Sequence, residues 1–323
     1  MVDGTILVMI SSYCDPMLFH TMNDCMKNAS HPEKIRFAVV DQSEYTQQYD
    51  IDALSYSSQV TYLFMPKSQA RGVCFARSIC QGLLRDEDYI LQVDSHTIFD
   101  EGWDDILVCQ LHELEETSDK VIISSYPHAF KYKDGVFHKD VVRKDDMLVF
   151  RVADESVLDD DLTLKFIPTY IQNTTPVVSH HIAGGLIFTR RRFIMDIPYD
   201  PYLYFAGEEQ TLFLRAYTHG YDVVNVPKIP IYHLYKTDEC SYDTHHWNAM
   251  HDMERGVSWT ELNETSLERF NMLVYGDESL GAHYGLGDDR TLSDYYGISG
   301  IDYYGHTIDY GKFNTELMRH DYI

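Results

Sequence analysis

Short apolar runs alternate with helical stretches through the first part of the chain, and no other feature limits its architecture as much. The pattern predicts strands over 5–10, 35–41, 60–65 and 88–93, helices over about 16–28 and 69–84, and a less regular stretch after the second strand. Repeats of this kind build a mostly parallel sheet with helices on both faces, placing the chain in the α/β class. Asp15-Pro16 suits the start of the first helix, because a proline at the first helical position lacks only an N–H that would have no partner there. A helix over 103–116, a strand over 121–125, a helix over Glu208–Thr218 closed by Gly220 and apolar runs at 181–189 and 222–235 extend the same body. Residues 131–165, charged and centred on Asp159-Asp160-Asp161, read as a surface loop or small hairpin region.

The fourth predicted strand runs directly into Asp94-Ser95-His96. In extended backbone, side chains two positions apart leave on the same side, so Asp94 and His96 are placed to grip one divalent cation. A carboxylate with an imidazole suits Mn²⁺ or a similar ion such as Mg²⁺, with open positions for diphosphate oxygens. Sites of open α/β sheets also lie at the carboxyl ends of strands. His233, in the apolar run Ile229–Tyr235, is the candidate third ligand, with His180 and His181 as competitors.

Three further segments fit such a platform. Gly184 and Gly185 stand at the start of a strand, where a missing Cβ lets a ligand approach the backbone. Glu208 and Glu209 open a predicted helix and offer carboxylates for sugar hydroxyls. Arg71 and Arg77 lie on one predicted helix about 120° apart around its axis, so one of them need face the site, and a guanidinium suits diphosphate oxygens.

Charge narrows the function. With 26 Lys and Arg against 51 Asp and Glu, the formal net charge is −25, which repels phosphates and anionic membranes and makes general nucleic-acid binding an unexpected role. The apolar run Ile6–Ile10 follows Asp3 instead of a basic segment and reads as a strand, not a leader peptide. No stretch approaches the roughly 20 apolar residues of a membrane helix. A soluble, cytoplasmic protein is the expectation. Six cysteines without C-x-x-C spacing point to reduced thiols. Beyond about residue 240 the chain turns Tyr-, Gly- and Asp-rich, with Tyr295, Tyr296, Tyr303, Tyr304, Tyr310 and Tyr322 expected mostly to pack a small C-terminal subdomain.

Together these residues resemble the glycosyltransferases of the GT-A fold, and within them the family typified by the cytoplasmic UDP-GlcNAc:polypeptide (hydroxyproline) α-N-acetylglucosaminyltransferases. The resemblance rests on Ile6–Pro16 with its S-Y-x-D-P turn, on Asn28 through Gln42, on Ala70-Arg71-Gly72 with Ala76-Arg77, on Gln92–His96, and on Tyr284–Tyr295 with its G-L-G-x-x-R-T-x-x-D-Y pattern. The D-x-H, Gly-Gly and Gly-Glu elements also resemble the polypeptide N-acetylgalactosaminyltransferases. The resemblance implies a retaining transferase using a UDP-sugar donor and a Mn²⁺-type ion, with residues 1–240 as the nucleotide-sugar-binding domain and 241–323 as a C-terminal lid and acceptor-side subdomain. It places Asp94, His96 and His233 at the metal, Ser12, Tyr13, Asp15, Gln42 and Arg71 at the nucleotide, and Gly184, Gly185 and Glu208 at the donor sugar. Ser95 and Arg77 complete the donor set, and His245-His246-Trp247 belong to a lid over 236–250. Ser11 and Cys14 depart from the family's usual residues beside the first turn. The implied acceptor is a protein or peptide hydroxyl, with a glycan or a modified nucleobase, or a non-catalytic carbohydrate-binding role, as the alternatives.

Overall fold

The computed structural model describes residues 4–143, 145–235 and 245–311. Its centre is an eight-stranded sheet built from β1 (Ile6–Tyr13), β2 (Ile35–Ser43), β3 (Val60–Pro66), β4 (Tyr89–Asp94), β6 (Val121–Ser124), β11 (Val177–Val178), β12 (Leu186–Arg190) and β13 (Asp222–Asn225). The strand order is β11-β13-β6-β12-β4-β1-β2-β3, parallel except where β12 lies antiparallel between β4 and β6 and where β11 meets β13. This is the α/β, mostly parallel arrangement that the alternating runs dictate.

The strands are apolar on both sides because helices cover both faces. Val8, Ile10, Leu91 and Val93 pack against the helices Leu18–Asn28 and Trp103–Glu115 on one face. Leu7, Met9 and Ile90 pack against Val73–Gln81 and Glu208–Thr218 on the other. The period of two along β4 therefore sends Gln92 and Asp94 to the second face, toward those two helices.

A smaller sheet, ordered β5 (Thr97–Phe99), β14 (Ile231–His233), β7 (His128–Lys133), β8 (Val136–Lys139), stands at the carboxyl edge of the first. The antiparallel pairing of β14 with β5 sets His233 opposite Thr97, and the Leu234 N–H donates to the His96 carbonyl at 3.0 Å. Two segments 137 positions apart in sequence are thereby brought to one spot. The turn between β4 and β5 is pinned from below: Thr21 Oγ1 donates to the Ser95 carbonyl and accepts from the Thr97 N–H.

Three expectations are corrected. Residues 131–165 are not all surface: β7 and β8 form the hairpin, but β9 (Asp146–Val152) pairs with β10 (Phe166–Gln172) and buries Met147, Leu148, Val149, Phe150 and Val152. The short apolar run was hidden between charged flanks. The first helix begins at Leu18 with Met17 as its uncapped N-cap, and Asp15 accepts from the Met17 N–H in the turn before it. The helix expected over 69–84 spans Val73–Gln81, so Arg71 precedes it and shares no helical face with Arg77.

The described C-terminal residues pack onto the main core. Phe270 and Val274 from the helix Trp259–Val274, with Leu292, Tyr295, Ile301 and Tyr303, belong to the same apolar core as the helix Glu208–Thr218. Tyr296 and Tyr304 are exposed, and Tyr322 and Cys240 lie outside the described residues. The segment Gly285–Arg290 grips the end of the helix Glu208–Thr218: the Gly287 N–H donates to Thr218 Oγ1 at 2.8 Å, the Asp289 N–H to the Thr218 carbonyl at 2.9 Å, and Arg290 pairs with Asp222 at 2.6 Å. Thr291 and Asp294 then close a reciprocal capping box on the helix Leu292–Ser299. A Cβ on Gly287 meets the Thr218 carbonyl at 2.6 Å, whereas Gly297, inside the last helix, has open space around it. Urea unfolding is therefore expected to show Gly287→Ala less stable by about 1–3 kcal/mol and Gly297→Ala more stable by about 0.5–1 kcal/mol.

Candidate functional site

Asp94 is held from two sides and given room on a third. Its Oδ1 accepts from Arg77 Nη2 at 2.8 Å, and its Oδ2 lies 3.1 Å from His233 Nε2. Gly185 leaves the third side open, since a Cβ there sits 3.0 Å from Oδ2. Burial pushes the Asp94 carboxyl up, but the His233 hydrogen bond and the Arg77 charge reverse this and hold it well below the usual carboxylate range. It is an anion at neutral pH.

His96 faces His233 with ring centroids 4.6 Å apart. Its Nδ1 donates to Asp15 Oδ2 at 2.7 Å, and the same carboxylate accepts from Ser95 Oγ at 2.9 Å and, through Oδ1, from the Met17 N–H at 2.9 Å. A carboxylate on one ring nitrogen fixes the tautomer and leaves Nε2 with its lone pair for a cation. Asp94, His96 and His233 together place one ligand atom each within 4.8 Å of one another. One carboxylate and two imidazoles so arranged fit a divalent ion of the Mn²⁺ type.

Arg77 and the glycines serve one another. The guanidinium reaches Glu208 through Nη1 and Asp94 through Nη2, so it spends its fork on two carboxylates instead of facing open solvent. A Cβ on Gly184 falls 2.2 Å from Arg77 Nη1, which explains the residue without any ligand. Burial lifts the Glu208 carboxyl above its usual range, and the Arg77 charge opposes that lift. Glu209 is occupied too: Oε1 accepts from the Gly184 N–H at 2.7 Å, and Oε2 lies 3.2 Å from His181 Nε2 and 3.4 Å from the Tyr126 hydroxyl. His181, stacked on Phe166 at 3.8 Å, thus belongs to Glu209, and neither it nor His180 joins the triad of Asp94, His96 and His233.

Two clefts meet at Val73, Asp94 and Phe205. One, of about 660 Å³, runs along Ser11, Tyr13, Asp15, Gln42, Gly72 and Tyr204 to His245, His246 and Trp247. The other, of about 1090 Å³, passes Arg77, Gly184, Gly185, Glu208 and Glu209 to Thr163 and Phe166. Of the sequence candidates, Ser12, Arg71, His180 and His233 line neither: Ser12 is fully buried, Arg71 donates to the Ala70 carbonyl, and His233 stands behind the cleft walls against Asp94. Ser11 takes the place expected of Ser12, a residue that strand alternation pairs with Tyr13 on one face. Tyr204 and Phe205 carried no sequence signal, because a loop brings them in. Of the expected lid, residues 236–244 lie outside the described residues.

A strap over 245–256 closes the first cleft. Tyr13 Oη lies 2.7 Å from His251 Nδ1, His246 Nδ1 lies 2.8 Å from the Tyr204 hydroxyl, and the buried Arg255 donates to the His246 carbonyl at 2.8 Å. Burial, aided by the Arg255 charge, pushes the His246 imidazole down to about 3. Among the described residues no helix is long and apolar enough to cross a membrane.

The family model for Glycosyltransferase (GlcNAc) matches residues 46–304. No curated protein matches the chain. Among solved structures, GalNAc-T7 with UDP, GalNAc and Mn²⁺ superposes with a TM-score of 0.58 at 16% identity, over 88% of this chain and 58% of that one. TarS of S. aureus, residues 1–349, is similar at a TM-score of 0.45 and 14% identity, over 86% of this chain and 74% of that one. The TarS complex with UDP-GlcNAc gives 0.46 at 13% identity over the same shares. The likeness to GalNAc-T7 is one of fold, and the chain spans a little over half that protein's length.

The low His246 value has a pH consequence. The unfolded imidazole binds a proton below about 6.5 and the folded one does not, so stability falls as pH drops from about 6.5 toward 3. His246→Gln, which keeps a partner for Tyr204, is expected to make the fall of Tm between pH 6.5 and 5 shallower by about one bound proton.

Proposed function

The chain belongs to the Glycosyltransferase (GlcNAc) family and has the GT-A fold, and from that premise we propose a metal-dependent retaining enzyme that moves GlcNAc from UDP-GlcNAc to a hydroxyl of a protein or peptide. The observation that carries the reading is the convergence of Asp94, His96 and His233 within 4.8 Å, with Asp94 lining both clefts and His96 the first. In this reading Asp94, His96 and His233 hold a Mn²⁺-type ion. Such an ion supplies positive charge against the diphosphate that leaves when the sugar–phosphate bond breaks. The GalNAc-T7 structure, which holds UDP, GalNAc and Mn²⁺, supports the same pairing of donor and ion.

The cleft along Ser11, Tyr13, Asp15 and Gln42 takes the nucleotide, with the rings of Phe205 and Trp247, 5.1 Å apart at its mouth, excluding water from the donor. The cleft past Gly184, Gly185, Glu208 and Glu209 takes the donor sugar and, beyond it, the acceptor. Neither glutamate is placed as a strong base, since Glu208 is paired with Arg77 and Glu209 holds the Gly184 N–H and His181. A front-side route to retention needs none: the acceptor oxygen bonds to the anomeric carbon, the carbon–phosphate oxygen bond breaks, and the leaving phosphate takes the acceptor proton. Residues 1–240 form the donor-binding body in this scheme, and 241–323 the lid and acceptor side. The motif likeness favours hydroxyproline in a polypeptide as the acceptor.

Incubation with UDP-GlcNAc and Mn²⁺ is expected to release UDP slowly without acceptor and faster with hydroxyproline peptides. Chelator or Asp94→Ala is expected to reduce that release by about 100-fold or more. UDP release that survives both treatments overturns the metal-dependent reading. Asp15→Asn keeps the shape but weakens the hold on the His96 ring, and Mn²⁺ affinity measured by titration is expected to fall about tenfold.

A further inference from the structure

Arg77 sits beside Asp94 at the wall of the second cleft, almost wholly buried. It is 5% exposed and Glu208 is 4% exposed, and no sequence argument assigned the pair to each other. The guanidinium divides between Glu208 Oε1 and Asp94 Oδ1. Tyr199 lies under it with its ring centroid 6.0 Å from Cζ, and the Tyr199 hydroxyl accepts from Gln92 Nε2 at 2.8 Å. The missing Cβ of Gly184 makes room for Nη1 and that of Gly185 for Asp94 Oδ2. Two carboxylates and the Tyr199 ring therefore hold the fork in one place.

The geometry points to Arg77 and Glu208 as a positioning couple that sets how strongly Asp94 presents one oxygen to the cation. The inference rests on the metal reading above. Arg77 binds Oδ1, so only Oδ2 is turned to the gap shared with His96 and His233. A guanidinium facing one carboxylate alone competes with a cation for it, because both are attracted by the same charge. Glu208 takes half of the fork and so limits that competition. Arg77 is the residue type this needs, as its planar fork reaches two carboxylates where a lysine acts as a point charge.

The test is Mn²⁺ binding to the full chain without donor, read from the free-ion EPR signal. Glu208→Gln leaves Arg77 with Asp94 alone and is expected to weaken Mn²⁺ about tenfold, as outer partners of metal ligands do. Arg77→Lys is expected to weaken it similarly. The double variant Arg77→Met with Glu208→Gln removes the competing cation together with its counter-charge, and Mn²⁺ affinity is expected to return to within about threefold of the parent. A purely structural pair gives the opposite: the double variant binds no better than either single one, and affinity follows Tm. That result, or an unchanged affinity in Glu208→Gln, overturns the inference. If Glu208→Gln does not fold, Arg77→Lys decides by the same criterion. Asp94→Ala runs alongside: Mn²⁺ binding indifferent to it sinks the metal reading and this inference together, whereas binding lost in Asp94→Ala but unchanged in Glu208→Gln sinks the couple alone.

Discussion

A carboxylate at the carboxyl end of a central strand, mostly removed from water, has to be compensated. Asp94 meets that requirement with Arg77 on one oxygen and His233 on the other. Much of the surrounding sequence follows from the need. Arg77 is itself buried and takes Glu208 as a second counter-charge, Glu208 requires a helix that starts beside it, and Gly184 and Gly185 vacate the volume that the charged groups fill. Breaking one member of such a set leaves an uncompensated buried charge, which is costly.

The start of that helix is held from outside the sheet. Gly207 precedes Glu208 with φ +78°, and Phe270 packs against it, with the ring 3.0 Å from where a Cβ would stand. Ser266 accepts from the Tyr204 N–H and donates to the Ala206 carbonyl, and Arg269 pairs with Asp200. At the far end of the helix, Gly287, Asp289 and Arg290 hold Thr218 and Asp222. The C-terminal region is therefore the brace for Glu208, and the G-L-G-x-x-R-T pattern that resembles a family signature is a clamp on a helix end, with no chemical group aimed at either cleft.

The strap over the first cleft works by a different principle. Its bonds to the body, Tyr13 to His251 and Tyr204 to His246, join aromatic rings through single polar contacts, and Lys67 between Glu44 and Glu254 is a surface tie screened by solvent. Met250 and Met253 point to solvent, so few buried apolar contacts hold it and it can shift at little cost to the core.

The strand alternation, the helical cover and the Asp94-Ser95-His96 pair were legible in the sequence, because each depends on neighbours within a few positions: side chains alternate along a strand, and residues two apart share its face. Even there local reading had limits. It placed Arg71 with Arg77 on one helix and left a buried strand at 146–152 among charges, while the family resemblance set Ser12 in a cleft that Ser11 lines. Tertiary structure alone decided what stands beside Asp94. The antiparallel pairing of β14 with β5 chose His233 over His180 and His181, and the packing of two helices on one sheet face turned Arg77 toward Glu208. Such contacts are set by strand register and burial between segments more than 100 positions apart, and no local rule of spacing encodes them.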